Sequence, residues 1–151
     1  AQFWSSLGDA YHEAERHIDS DKAYDKALTL EADNASTLNN YAYYLSVRNT
    51  QLEKAERMSK RSLEIEPGSA TYMDTYAWIL FRLGRFADAR TWIEKAIAAG
   101  QADGVVVEHF GDILYELGDK AAAMDQWRKA KTLGGASQAI DRKINEGVRV
   151  E

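Results

Sequence analysis

The chain has 151 residues, no cysteine, one proline and a net charge of −5 from 24 acidic and 19 basic side chains. Disulfides and thiolate metal sites are excluded. No apolar run approaches the ~20 residues that cross a bilayer, and the basic footprint of a nucleic-acid binder is missing. At 45% hydrophobic and 28% charged residues the chain reads as soluble and globular, with room for long uninterrupted helices.

Trp4, Leu7, Gly8 and Tyr11 share one face at helical spacing and predict a helix over 2–14. A second helix over 18–30 carries Ser20, Tyr24 and Ala27 on one stripe. The pair then recurs. Leu38, Tyr41, Ala42 and Leu45 mark 36–47, and Ala55, Ser59 and Ser62 mark 52–65. Met73, Tyr76, Ala77 and Leu80 mark 70–82, and Ala89, Ile93 and Ala96 mark 86–98. Val107, Phe110, Gly111 and Leu114 mark 105–116, and Ala123, Trp127 and Ala130 mark 120–132. A ninth helix is predicted from an N-cap at Ser137 to about Asn145, with Ala139, Ile140 and Ile144 inward and Asp141, Arg142, Lys143 and Glu146 outward. The tail 148–151 is expected to fray. Gly84 and Gly118 suit the left-handed residue that ends a helix. The turn Arg48-Asn49-Thr50 is one residue longer, and Asn49 is expected to take positive φ there. Pro67-Gly68 and Gly134-Gly135 punctuate between pairs.

The small residue at the closest helix contact falls at Gly8, Ala42, Ala77 and Gly111, at intervals of 34, 35 and 34 residues. Four registered copies of Trp4-x-x-Leu7-Gly8-x-x-Tyr11 followed by Ser20-x-x-x-Tyr24 resemble the tetratricopeptide repeat (TPR). Copy one departs at Ser20, where alanine is usual, and at Ala32, where proline is usual. Copy two keeps that proline as Pro67, and copies three and four have Gln101 and Gly135. The resemblance implies an all-α fold: a right-handed α-solenoid of four helix-turn-helix units, 1–34, 35–69, 70–103 and 104–137, plus a capping helix over 138–146, in one domain spanning 1–151. One hairpin cannot bury its apolar face alone, so neighbours must stack. Residue 1 opens a repeat with neither methionine nor cap. A fragment with further repeats upstream is expected, the alternative being a processed mature terminus.

In such repeats the side of the first helix opposite the apolar stripe lines a concave groove that holds peptides. By that resemblance the groove residues are Asn39, Tyr43, Asp74, Trp78, Phe81, Arg82, Glu108, Asp112 and Tyr115. The core stripe does not require Tyr43, Trp78, Phe81 and Tyr115, which are candidate anchors for a partner or, alternatively, pack against each other or against an unseen adjacent segment. Asp9, Glu13, Asp74, Glu108, Asp112 and Glu116 make the face acidic, with Arg82 as its clear counter-charge, the alternative being that they are simply a solvated face. A neutral to basic, partly apolar protein or peptide segment is therefore the expected partner. The Lys and Asn clamp of chaperone-binding relatives finds only Asn40 among Ser5, Asp9, Asn40, Thr71 and Thr75, and Asp9 repels a carboxylate.

No catalytic constellation, metal site or cofactor motif emerges. His12 and His17 are poorly placed to share a face, and His109 has no histidine partner. Glu13/Glu15 and Glu64/Glu66 point different ways. No phosphate loop or nucleophile elbow occurs. Two functions are weighed: a non-enzymatic binding scaffold using the groove, and an assembly element that stacks on upstream repeats or forms a homo-oligomer through the N-terminal repeat face at Phe3 and Trp4. The acidic face opposes RNA, and no membrane insertion is expected. The long turn before Leu52-Glu53-Lys54-Ala55, and Glu108-His109-Phe110-Gly111-Asp112 followed by Trp127, resemble bacterial members, some of them of the cell envelope. The compartment stays open between cytoplasm and the periplasmic side of that envelope.

Overall fold

The computed structural model describes residues 1–100 and 102–151, so the repeat position at Gln101 lies outside the described residues. Among the described residues there are nine helices and no strand: α1 (Gln2–Glu13), α2 (His17–Leu30), α3 (Ala35–Val47), α4 (Leu52–Ile65), α5 (Ala70–Arg82), α6 (Phe86–Ala98), α7 (Gly104–Glu116), α8 (Lys120–Leu133) and α9 (Ile140–Glu146). The fold is all-α, built from a repeated helix pair, as the periodicity predicts.

Short polar side chains start the odd-numbered helices from α3 to α7. Asn34 accepts from the Thr37 amide, Ser69 from Tyr72 and Asp103 from Val106, at 3.0, 3.2 and 3.0 Å. Each cap satisfies one orphan donor of a helix N-terminus. All four hairpin turns close alike. The amides of Arg16, Thr50, Arg85 and Asp119 reach back to the carbonyls of Tyr11, Leu45, Leu80 and Leu114. The residue before each of these amides is left-handed: Glu15, Asn49, Gly84 and Gly118, at φ 58, 54, 79 and 91°. This double-bonded C-terminal motif demands positive φ. The expectations for Asn49, Gly84 and Gly118 hold. Glu15 was not foreseen, because nothing in its side chain signals that conformation.

Two compact units divide the chain, Ala1–Gly68 and Ser69–Glu151. In the first, α1 packs on α2 and α3 on α4, burying Tyr24, Tyr41, Ala42, Leu45 and Ala55. A Cβ on Gly8 would stand 2.8 Å from the Tyr24 ring, so this contact requires a residue without one. In the second, α5 packs on α6 and α7 on α8, and α9 lies against α8. Its core gathers Val107, Leu114, Ala123, Trp127, Ala130 and Ile140, with Phe110, Tyr115 and Ile144 packed around them.

Candidate functional site

In the second unit, α5 presents Asp74, Trp78, Phe81 and Arg82, and α7 presents Glu108, Asp112 and Tyr115. These residues do not line an open hollow. The Trp78 ring stacks on Phe81 at 4.5 Å and on His109 at 4.0 Å, with the Arg82 guanidinium 5.1 Å from its centre. Only 7% of Trp78 and 4% of Phe81 stays exposed. The alternative weighed for the aromatics, packing within the chain, describes what these two do.

The acids are paired rather than solvated. His109 Nδ1 is 2.9 Å from Asp74 Oδ1. The Lys143 ammonium donates to Glu108 at 2.7 Å and to both Asp112 oxygens at 2.9 and 3.0 Å. The Trp127 indole donates to Asp112 at 3.1 Å, and the Ser137 amide and hydroxyl donate to Glu108 at 2.7 and 2.5 Å. Lys143, expected to face outward, is therefore turned inward and buried. Ser137, expected to cap α9, instead serves Glu108, and Ala139 stands at the N-cap. Burial alone would raise the Glu108 pKa, but the bonds from Lys143 and Ser137 hold it below its ordinary value. Asp112 is pushed up by burial against the pull of Lys143 and His109. Burial would lower His109, yet Asp74 by charge and hydrogen bond, with Asp112 and Glu108 behind it, holds it above 6.5.

The tail beyond α9 crosses the same face instead of fraying. Arg149 Nε donates to Glu116 Oε1 at 2.8 Å, and its guanidinium lies 5.0 Å from the centre of the Phe81 ring. The Glu151 carboxylate accepts from Arg149 at 2.8 Å and from Arg82 at 2.6 Å. The pairs with Arg82 and Arg149 outweigh burial and lower the Glu151 pKa. Tyr115 is half-buried, tilted against Trp127 at 5.8 Å with the Lys120 ammonium 5.4 Å from its centre. The roles that sequence reasoning missed are thus those of Lys143 and Ser137, which donate to Glu108, and of Arg149, which donates to Glu116.

The first unit holds Asn39 and Tyr43. Asn39 is buried with its amide 3.4 Å from Asn40 Oδ1, and Tyr43 is half-buried at 6.0 Å from the Tyr44 ring. In the same unit, Gln2, Ser5, Asp9, Ser36 and Asn40 line an open polar cavity of about 550 Å³ between α1 and α3. Thr37 ties α3 to Ser5 at 2.9 Å, and the Tyr24 hydroxyl donates to Asp9. His12 stacks on Tyr44 at 3.5 Å; burial, with His17 and Arg48 near, lowers its pKa. Among the described residues no three His, Cys, Asp or Glu side chains converge as a metal site needs, and no helix is long and apolar enough to cross a membrane.

Family models described as tetratricopeptide repeat match residues 1–34 and 69–102. The TPR repeat-containing protein PA4667 of Pseudomonas aeruginosa is 30% identical over 85 residues, covering 56% of this chain and 14% of its own length. Human tetratricopeptide repeat protein 7B is 28% identical over 143 residues, covering 91% of this chain and 17% of its own length. The chain therefore spans about a sixth or less of these relatives. A tetratricopeptide repeat protein from Parabacteroides merdae superposes with a TM-score of 0.81 at 18% identity, covering 97% of this chain and 57% of that one. At that identity the likeness shows the fold.

Proposed function

We propose, from the premise that this chain is a tetratricopeptide-repeat protein, that its first-helix faces hold polypeptide segments that are neutral to basic and partly apolar. Repeats of this family make non-enzymatic protein-interaction scaffolds, and groove use is the finer reading offered here. One observation carries it. On α5 and α7 a partly apolar segment with one arginine and one glutamate, neutral in its side chains, already sits on the face, with Arg149 between Glu116 and the Phe81 ring. A carboxylate beside an aromatic ring recognises a guanidinium by charge, hydrogen bond and ring face together. Trp78 then acts beneath the surface, stacked on Phe81, while Asp74, Glu108 and Asp112 are taken up by His109 and Lys143. In the first unit the proposed face is the polar cavity of Gln2, Ser5, Asp9, Ser36 and Asn40, where Asn40 meets the Asn39 amide.

An array of 12-residue peptides graded from acidic to basic, probed with the full chain, tests the reading. Signal should concentrate on basic members with apolar neighbours, and Glu116→Arg should erase it. A preference for acidic members, or indifference to Glu116→Arg, contradicts it.

A second reading, assembly through the N-terminal repeat face, draws on Phe3, which is 68% exposed and packs edge-on against Trp4 at 5.3 Å. Sedimentation of the wild type and Phe3→Glu decides it. A wild-type oligomer that the substitution dissociates supports assembly, and a monomer in both removes it.

A further inference from the structure

The C-terminal residues are held in two different ways. Helix α9 is pinned by the Lys143 ammonium, whose side chain is 5% exposed between Glu108 and Asp112. Residues 147–151 are held by polar contacts nearer the surface: Arg149–Glu116 with side chains 24% and 28% exposed, and Glu151–Arg82 with Glu151 57% exposed. Partly exposed ion pairs are individually weak and screened by salt. Gly147 stands between the two parts in the left-handed conformation, φ 66° and ψ 28°, and closes α9 through its bond to the Lys143 carbonyl. A residue without a side chain at that junction lets the chain beyond it change direction while α9 stays docked.

We propose that residues 147–151 are a displaceable strap over the α5/α7 face, an internal competitor that a partner must dislodge. The proposal rests on the reading of this face as a binding surface. The strap also defines the partner's chemistry. The face beneath it offers Glu116, the Phe81 ring and Arg82 in succession. The strap answers with a guanidinium on Glu116 and Phe81 and, two residues later, a carboxylate on Arg82 that also receives Arg149. The matching partner is an extended segment with an arginine two residues before a carboxylate and small apolar residues around it. Because the strap is tethered beside its own site, its effective concentration is high even though each contact is weak. The apparent affinity for a partner falls by the fraction of time the face is open.

The test is fluorescence anisotropy with a fluorescein-labelled peptide of sequence Gly-Val-Arg-Val-Glu, titrated with the full chain and with its Arg149→Glu variant. The variant places a carboxylate beside Glu116 and opens the strap without altering the face. The proposal predicts saturable binding about tenfold tighter to Arg149→Glu than to wild type. It further predicts that a probe carrying glutamate for arginine binds neither. Equal affinity for the two chains overturns the strap and leaves the binding face standing. Absence of binding to both overturns the binding face, and the strap with it. If Arg149→Glu loses helical circular dichroism, Glu151→Gln, which removes the charge paired with Arg82 and Arg149, carries the same comparison with a smaller expected gain.

Discussion

The Lys143 ammonium lies 2.7 Å from the Glu108 carboxylate across 35 residues of sequence, and His109 lies 2.9 Å from Asp74 across the same 35. Both pairs span about one repeat, so α9 stands to α7 in sequence register as α7 stands to α5. Lys143 also satisfies Asp112, which makes it a cation shared by two buried acids. Lys143→Ala should therefore cost about 3–5 kcal/mol in urea unfolding, because it strands two carboxylates. Lys143→Met with Glu108→Gln and Asp112→Asn should recover much of that loss. Lys131→Ala, which breaks an exposed pair with Asp141, should cost about 1 kcal/mol or less.

Size complementarity at the helix crossings gives a second expectation. A Cβ on Gly111 would lie 2.5 Å from the Trp127 indole, and one on Gly104 would lie 2.0 Å from the Gly134 carbonyl oxygen. Gly111→Ala should destabilise by about 1–3 kcal/mol, since an indole can shift. Gly104→Ala meets backbone and should reach the top of that overpacking range or pass it. Thermal unfolding of the two variants checks the order.

The first hairpin turn carries glutamate where the third and fourth carry glycine. Glu15 at φ 58° pays a left-handed penalty that Gly84 and Gly118 avoid. Glu15→Gly should raise stability by about 0.5–1 kcal/mol after the entropy cost of glycine is subtracted. A fall in the melting temperature contradicts this.

Much of the fold was legible because the helix stripes repeat. The small-residue column even encodes its partner: Gly8 and Gly111 face the rings of Tyr24 and Trp127, whereas Ala42 and Ala77 stand in register with Ser59 and Ile93. The covering of the α5/α7 face was not legible. A helical wheel places Trp78 and Asp112 opposite the core stripe, and it does not show that the next first helix, or α9 in its place, packs there too. The acid-to-base pairs one repeat apart, Asp74 with His109 and Glu108 with Lys143, were the available signal. Arg149 left none, since four residues after a helix-ending glycine carry no period.

The buried histidine gives a pH signature. His109 should titrate above 6.5 by NMR of its imidazole, because Asp74, with Asp112 and Glu108 nearby, outweighs burial. Asp74→Asn should move it below 6.5, leaving burial in control. A raised folded-state value means that protonated His109 stabilises the fold fully below 6.5, and that this contribution fades as pH rises through the raised value. Glu108 works in the opposite window. Its lowered value contributes stability above 4.5 that is lost as pH falls through it, while the raised value of Asp112, set by burial, opposes it and subtracts stability as pH rises above 3.8.

The seating of Arg149 on Phe81 and Glu116 is what joins the binding face to its strap. NOE spectroscopy of the free chain tests it most directly. The account predicts cross-peaks from the Arg149 side chain to the Phe81 ring protons, and their loss when excess unlabelled Gly-Val-Arg-Val-Glu peptide is added. A free chain with no Arg149–Phe81 cross-peak, and residues 147–151 showing the narrow lines of a random coil, contradicts it.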